Sequence, residues 1–145
     1  MIDDRTAPYG ALLLRLSLGG LFIAHLYAKF AIEGASAWWT SLEGAGAPSW
    51  AIYYATSAEF AGAILIVLGI FTRWVSLYVL PLVIATTYFW ATRKGFFWFT
   101  EAGYEFPLVW SLLLVVQALL GDGAYALRVT SLLRRRRAPP EAAQA

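Results

Sequence analysis

GALLLRLSLGGLFIAHLYAKFAI, residues 10–32, is predominantly apolar yet carries Arg15, His25 and Lys29. A hydrocarbon layer about 30 Å thick is crossed by about 20 apolar residues rising 1.5 Å each. Three further stretches, near residues 50–71, 74–92 and 104–121, approach that length and are joined by short polar or aromatic connections. The chain is therefore read as an all-α membrane protein, a four-transmembrane-helix bundle whose solvent is the bilayer. Titratable groups inside such spans are costly, so Arg15, His25, Glu59 and Glu105 become the first functional candidates.

Composition agrees. Of 145 residues, 60% are hydrophobic and only 14% charged, with a mean hydropathy of +0.62. A soluble domain carries about 25% charged residues. Four spans leave no room for a second folded domain. The expected organisation is an N-terminal cytoplasmic arm (1–9), a membrane domain (10–133) and a basic, disordered tail (134–145). Ala35-Ser36-Ala37 has the form of a signal-peptidase site, but the preceding run is too long and too charged for a secretory segment. The first span is expected to stay.

Arg5, Arg73, Arg128 and Arg134 to Arg137 fall on one side of these spans, against Arg93 and Lys94 on the other. The positive-inside rule then places both termini in the cytoplasm. The Arg134 to Arg137 run is read as a contact for anionic lipid, and nucleic acid is not an expected partner. Cysteine is absent, Met1 is the one methionine and His25 the one histidine. That set offers no thiol redox pair, iron-sulfur cluster, haem or metal site. Any electron carrier is expected to be a diffusible cofactor or to belong to a partner subunit.

Between the first two spans, residues 35–49 are too polar and too broken by glycine and proline to cross. With Trp38 and Trp39 they are expected to form an interfacial half-helix. Thr72-Arg73 is so short a connection that spans two and three must form an antiparallel hairpin. Pro81 predicts a kink in span three, with a neighbouring helix or hydroxyl serving the freed carbonyl. The outer connection, residues 92–104, is read as an aromatic belt, with a lid over the bundle as the second reading. Residues 124–134 are expected to form a short amphipathic C-terminal helix. Glu59-Phe60 and Glu105-Phe106 echo each other at the outer ends of two spans, a match short enough to arise by chance.

Depth follows from helical rise. From the cytoplasmic ends, Arg15 lies about 8 Å in, Glu59 about 18 Å, and His25 and Glu105 about 22 Å. Lys29, about 28 Å up, can snorkel toward the outer interface. Arg15, Phe22, His25 and Lys29 share one helical stripe, and Ala55, Glu59, Gly62, Ile66 and Gly69 form a facing seam of largely small residues. Glu59 is thereby expected to face the bundle, with His25 or Lys29 as its partner. Arg15, Arg73 and Gln117 are assigned structural or lipid contacts, Gln117 through an interhelical hydrogen bond.

Several stretches together resemble one family. They are Arg15-Leu16-Ser17-Leu18-Gly19 with His25 and Lys29, Glu43 through Pro48, Glu59-Phe60-Ala61-Gly62 leading to Leu68-Gly69-Ile70-Phe71-Thr72-Arg73, and Gly103-Tyr104-Glu105 leading to Leu120-Gly121-Asp122-Gly123. Their order and spacing resemble the DoxX family of small four-span bacterial membrane proteins, over about residues 10–133. Ala63 and Asp122, the latter in place of a proline, depart from the pattern. The resemblance implies the cytoplasmic (inner) membrane and association with redox enzymes, among them a thiosulfate:quinone oxidoreductase and a complex guarding against oxidative and thiol stress.

Two functions compete. In the first, the chain is a redox-associated membrane subunit with a polar pocket in its outer half that binds a quinone or similar lipophilic head group. His25, Glu59 and Glu105 would be the proton-exchanging catalytic residues, and Lys29, Phe22, Tyr104 and Trp98 would bind the cofactor. In the second it is a noncatalytic scaffold that anchors soluble redox or detoxifying enzymes. Expected partners are the bilayer, a redox partner subunit and further copies of the chain.

Overall fold

Pro8 stands in the first helical turn, where no N–H is required, and opens α1, Ala7–Tyr27. The helix widens into a π-helical stretch, Ala28–Gly34. At Gly34 φ reaches +87°, which side-chain-bearing residues resist, and the chain turns there into α2, Ala35–Gly44. α3, Ser49–Ala61, follows the extended residue Pro48 and also widens, over Gly62–Ile66. α4 is Thr72–Arg93 and α5 is Glu105–Leu120. The computed structural model describes residues 3–97 and 103–127, and no strand occurs among them.

Helix ends are closed by local chemistry. α3 and its π-helical extension stop at Gly69 (φ +72°), where Ile70 N–H bonds to Leu65 O and Gly69 N–H to Ile66 O. This is a Schellman closure, and it makes the tight turn into α4 possible. α3 and α4 pack as neighbours, as so short a connection requires. Pro81 lies within α4, which continues through it. Beside the Leu77 carbonyl deprived of its usual partner, Tyr54 donates its hydroxyl to Tyr78 O at 2.6 Å.

The core is a layer of apolar side chains from all four long helices. Leu18, Ile66, Val79 and Leu114 are wholly buried, and Phe22, Ala58, Val75, Val83 and Trp110 join them. The outside is apolar as well: Leu13, Ile32, Trp74, Tyr88 and Leu119 are each more than two-thirds exposed. A water-soluble monomer does not spread large hydrophobics so widely over its exterior. The stretch Ala7–Gly44 and the helix Thr72–Arg93 are long and apolar enough to cross a membrane, and Glu105–Leu120 is apolar but shorter.

At one pole the start of α1, the turn after α3 and the end of α5 are tied together. Ala124 N–H bonds to Pro8 O and Leu127 N–H to Leu68 O. The expected C-terminal amphipathic helix does not begin at residue 124: Ala124 and Tyr125 form a turn, because residues 124–127 are held back against α1 and α3. The remainder of that segment, including Arg128, Arg134 to Arg137 and the tail, lies outside the described residues, as does Trp98.

Candidate functional site

One polar centre of the interior begins on α3. Glu59, 5% exposed, is paired through Oε1 with the ammonium of Lys29, in the π-helical stretch after α1. Lys29 Nζ also stands 4.7 Å from the ring centre of Trp38 on α2. One cation thus joins three elements, by an ion pair and by attraction to an aromatic face. The seam Ala55, Glu59, Gly62, Ile66 and Gly69 is buried throughout. Gly62 is required there because a Cβ would strike the ring of Phe22.

His25, one turn before Lys29, is ordered by its own helix. Nδ1 lies 2.9 Å from Leu21 O, and since a carbonyl only accepts, Nδ1 carries the proton. In the neutral ring Nε2 is then an acceptor. The imidazole lies parallel to Phe106 at 6.3 Å and tilted against Trp110 at 4.9 Å, while Phe22 meets Trp110 at 4.7 Å. Four aromatic rings from α1 and α5 make one wall.

These groups line a cavity of about 460 Å³. Ala51, Ile52 and Ala55 of α3 and Leu82, Val83, Thr86, Phe89 and Trp90 of α4 line it, together with Trp38, Leu42 and Ala47. Its volume and its largely apolar walls, interrupted by a few polar side chains, match the usual form of a small-molecule site. Two polar atoms of the lining residues lack a hydrogen bond. Glu59 Oε2 and Trp110 Nε1 are buried without a hydrogen bond, and the Thr86 hydroxyl is turned back to Leu82 O at 3.0 Å, leaving its oxygen as an acceptor. No cluster of His, Asp and Glu able to hold a metal ion occurs among the described residues.

Residues 10–93 match the family model DoxX. The chain belongs to the DoxX family. A protein of Haemophilus influenzae (strain ATCC 51907 / DSM 11121 / KW20 / Rd), described as an uncharacterized protein, is 35% identical over 128 residues, which cover 86% of this chain and 92% of the relative. No solved structure matches the chain. With its apolar helices and exterior, this DoxX protein is a membrane protein in contact with the bilayer.

Of the residues singled out in the sequence, His25, Lys29, Glu59 and Phe22 meet at the cavity of this DoxX protein. Glu105 and Tyr104 are not among its lining residues. Tyr104 packs on Phe96 at 5.2 Å between α4 and α5, and Glu105 begins α5, with its N–H on Phe96 O and its Oε2 buried without a partner. The next residues, Phe106 and Pro107, reach the cavity instead. α2 contributes Trp38 and Leu42 to the lining, and Ala47 follows in the turn after it. Trp38 is buried, with Lys29 over its ring. Trp110 and Phe106 were missed, although their spacing of four on an apolar helix is a signal for one shared face.

The remaining residues form a second polar centre at the opposite pole. Arg15, 2% exposed, donates from Nη1 to Asp122 O at 2.6 Å and from Nη2 to Ala124 O at 3.2 Å, so its partners are backbone carbonyls and not lipid phosphate. Gly69 makes room for it, since a Cβ there would collide with the guanidinium. Arg73 donates to Ala118 O at 2.9 Å and Leu119 O at 3.4 Å, closing the end of α5. Gln117 bonds to Gly121 O at 2.7 Å, within its own chain end and not across to another helix as expected.

Proposed function

We propose that this protein is a redox-associated subunit of the bacterial cytoplasmic membrane that binds a quinone or similarly lipophilic ring in the cavity around His25, Lys29 and Glu59. In this reading α1, α3 with its extension, α4 and α5 all cross the bilayer, with both termini cytoplasmic and the cavity in the outer half. The Lys and Arg distribution supports that orientation. Together, the start of α1, the turn between α3 and α4 and the end of α5 form the arginine-rich pole.

One observation carries the reading. A cavity of about 460 Å³ is walled by aromatic and aliphatic side chains and receives polar character from only a few groups. An isoprenoid ring has that same division between apolar surface and a few polar atoms. Phe22, Phe106 and Trp110 would sandwich the ring, and Glu59 and His25 would bond to its oxygens. When bound, such a ring supplies two-electron chemistry coupled to proton release or uptake. His25 can hold or pass a proton at Nε2, and Glu59 can do so at Oε2. Lys29 is paired directly with Glu59 at the cavity wall.

A wholly buried apolar layer, Leu18, Ile66, Val79 and Leu114, separates this cavity from the Arg15 pole. That favours binding from one side over conduction through the bundle. The purified protein is to be titrated calorimetrically with a decyl-substituted benzoquinone and its hydroquinone. Saturable binding of either, weakened about tenfold or more by Glu59→Gln or His25→Ala, is expected. Affinity unchanged in both variants rejects the site.

A further inference from the structure

We infer that the cavity opens sideways into the hydrocarbon between α3 and α4, and that its ligand is a membrane-dissolved amphiphile whose ring lies inside while an aliphatic tail runs out through that gap. The inference rests on the proposed ring-binding reading and adds to it the route of entry and the tailed class of ligand.

The gap begins where a clasp between the two helices ends. Tyr54 of α3 donates its hydroxyl to Tyr78 O of α4 at 2.6 Å, and the hydroxyls of Ser57 and Tyr78 stand 2.7 Å apart. The two tyrosine rings meet edge to face at 5.4 Å. On α4 the stripe that starts at Tyr78 continues through Leu82, Ala85 and Phe89, at offsets of 4, 3 and 4. Past the clasp those three residues line the cavity. On α3 the turn before Tyr54 brings Ala51 into the same lining. Alanines on both helices thus leave open a seam that larger side chains would close.

The other seams are filled. Phe22 and His25 of α1 pack on Trp110 of α5 at 4.7 and 4.9 Å. The Lys29–Glu59 pair and the rings of Phe30 and Phe60, 5.7 Å apart, join the extension of α1 to α3. Between α4 and α5 the hydroxyls of Thr87 and Ser111 are 3.5 Å apart. The cavity is nonetheless not enclosed, and Ala85 is the one residue of its lining that is exposed.

Ala85 stands between two environments. On one flank Leu82 and Thr86 line the cavity, and on the other Pro81, Ile84 and Tyr88 are exposed and take no part in the lining. α4 is long and apolar enough to cross a membrane. At about 1.5 Å per residue, Ala85 lies about 20 Å from its first residue and about 12 Å from its last, within a hydrocarbon layer about 30 Å thick. Acyl chains and not water therefore meet the gap. A ligand tail left among them stays in its own solvent, whereas a tail directed to an aqueous mouth would be exposed to water at every methylene.

The test irradiates the full chain in lipid nanodiscs with a decyl-substituted benzoquinone bearing a diazirine at the end of its tail, and maps the label by mass spectrometry. Label that excess unlabelled decyl compound displaces is expected on α3 and α4 beside the gap, around Tyr54, Ile84 and Tyr88. Displaceable label on α1, α2 or α5 instead overturns the inference. Affinities are then compared for the decyl compound and for the same ring carrying a methyl group in its place. Ala85→Phe is expected to weaken the decyl compound about tenfold or more and the methyl compound less than about threefold, because only the tail has to pass the filled gap. Ile84→Phe, on the neighbouring lipid face, should change neither. Equal losses for the two compounds in Ala85→Phe, or no loss for the decyl compound, overturn the side opening while leaving the ring-binding reading in place. Binding of neither compound by the unaltered protein overturns the ring-binding reading itself, and the side opening with it. The labelling needs no substitution and decides the matter alone if Ala85→Phe fails to fold.

Discussion

The carboxylate of Asp122 accepts a hydrogen bond from the backbone N–H of Thr72, 3.0 Å away, and so caps α4 from a loop fifty residues further along the chain. The first N–H groups of a helix have no intrahelical partner, and Phe71, the preceding residue, supplies no side-chain oxygen. The same Asp122 gives its carbonyl to Arg15. One residue therefore joins α1, the α3–α4 turn and the end of α5.

Asp122→Ala is expected to cost about 1 kcal/mol of stability, the usual value of a lost N-cap, and Asp122→Asn appreciably less. Thermal unfolding in detergent checks this. Equal loss in both variants would show that the cap is not what matters at this position.

Gly69→Ala is expected to destabilise by more than about 1 kcal/mol, since the position needs φ +72° and a Cβ would meet the Arg15 guanidinium. Arg15→Met should be worse, leaving the Asp122 and Ala124 carbonyls without their donor in a buried place, at about 1–3 kcal/mol each. The same unfolding assay ranks them; a stable Arg15→Met protein would contradict the structural role given to this arginine.

Lys29→Met leaves the Glu59 carboxylate buried and unpaired, for which about 3 kcal/mol is the expected penalty. Adding Glu59→Leu to that variant should restore much of the loss, because a well-packed apolar pair avoids the desolvation of both charges. A double-mutant cycle on melting temperature measures the coupling. Additive losses would mean that the two side chains do not interact in the bilayer.

Gly62→Ala places a methyl group in the ring of Phe22, and overpacking of this kind costs about 1–3 kcal/mol. The displaced ring belongs to the aromatic wall, so ligand affinity should fall together with stability. Gly20→Ala, at a glycine with open space beside it, should leave both unchanged. Affinity that survives Gly62→Ala would place the ligand elsewhere.

Much of the fold was legible without coordinates, because the requirement to fill about 30 Å of hydrocarbon acts on each stretch of chain separately. Helix boundaries fell within a few residues of the expected spans, Gly34 and Pro48 bracket the expected half-helix as α2, and the seam around Glu59 is buried. His25, Lys29 and Glu59, singled out along two separate helices, line one cavity. Glu105 is not among the residues that line it. That residue is the first of α5, and at a helix start the position of a side chain depends on how the preceding loop enters; here Glu105 N–H is held to Phe96 O and the helix presents Phe106 and Trp110 to the cavity.

The sequence by itself determined the solvent of this protein, the approximate limits of its long helices, its family and three of the polar groups at the cavity. Each follows from local composition or from counting along one helix. Only the tertiary structure decided that Lys29 and not His25 pairs with Glu59, that α2 contributes to the cavity lining, and that Asp122 caps α4. Those outcomes depend on how helices are rotated against one another, and the π-helical widening at Ala28–Gly34 and Gly62–Ile66 changes that rotation by altering the hydrogen-bond register within the helix. No count of residues along a regular helix contains that shift.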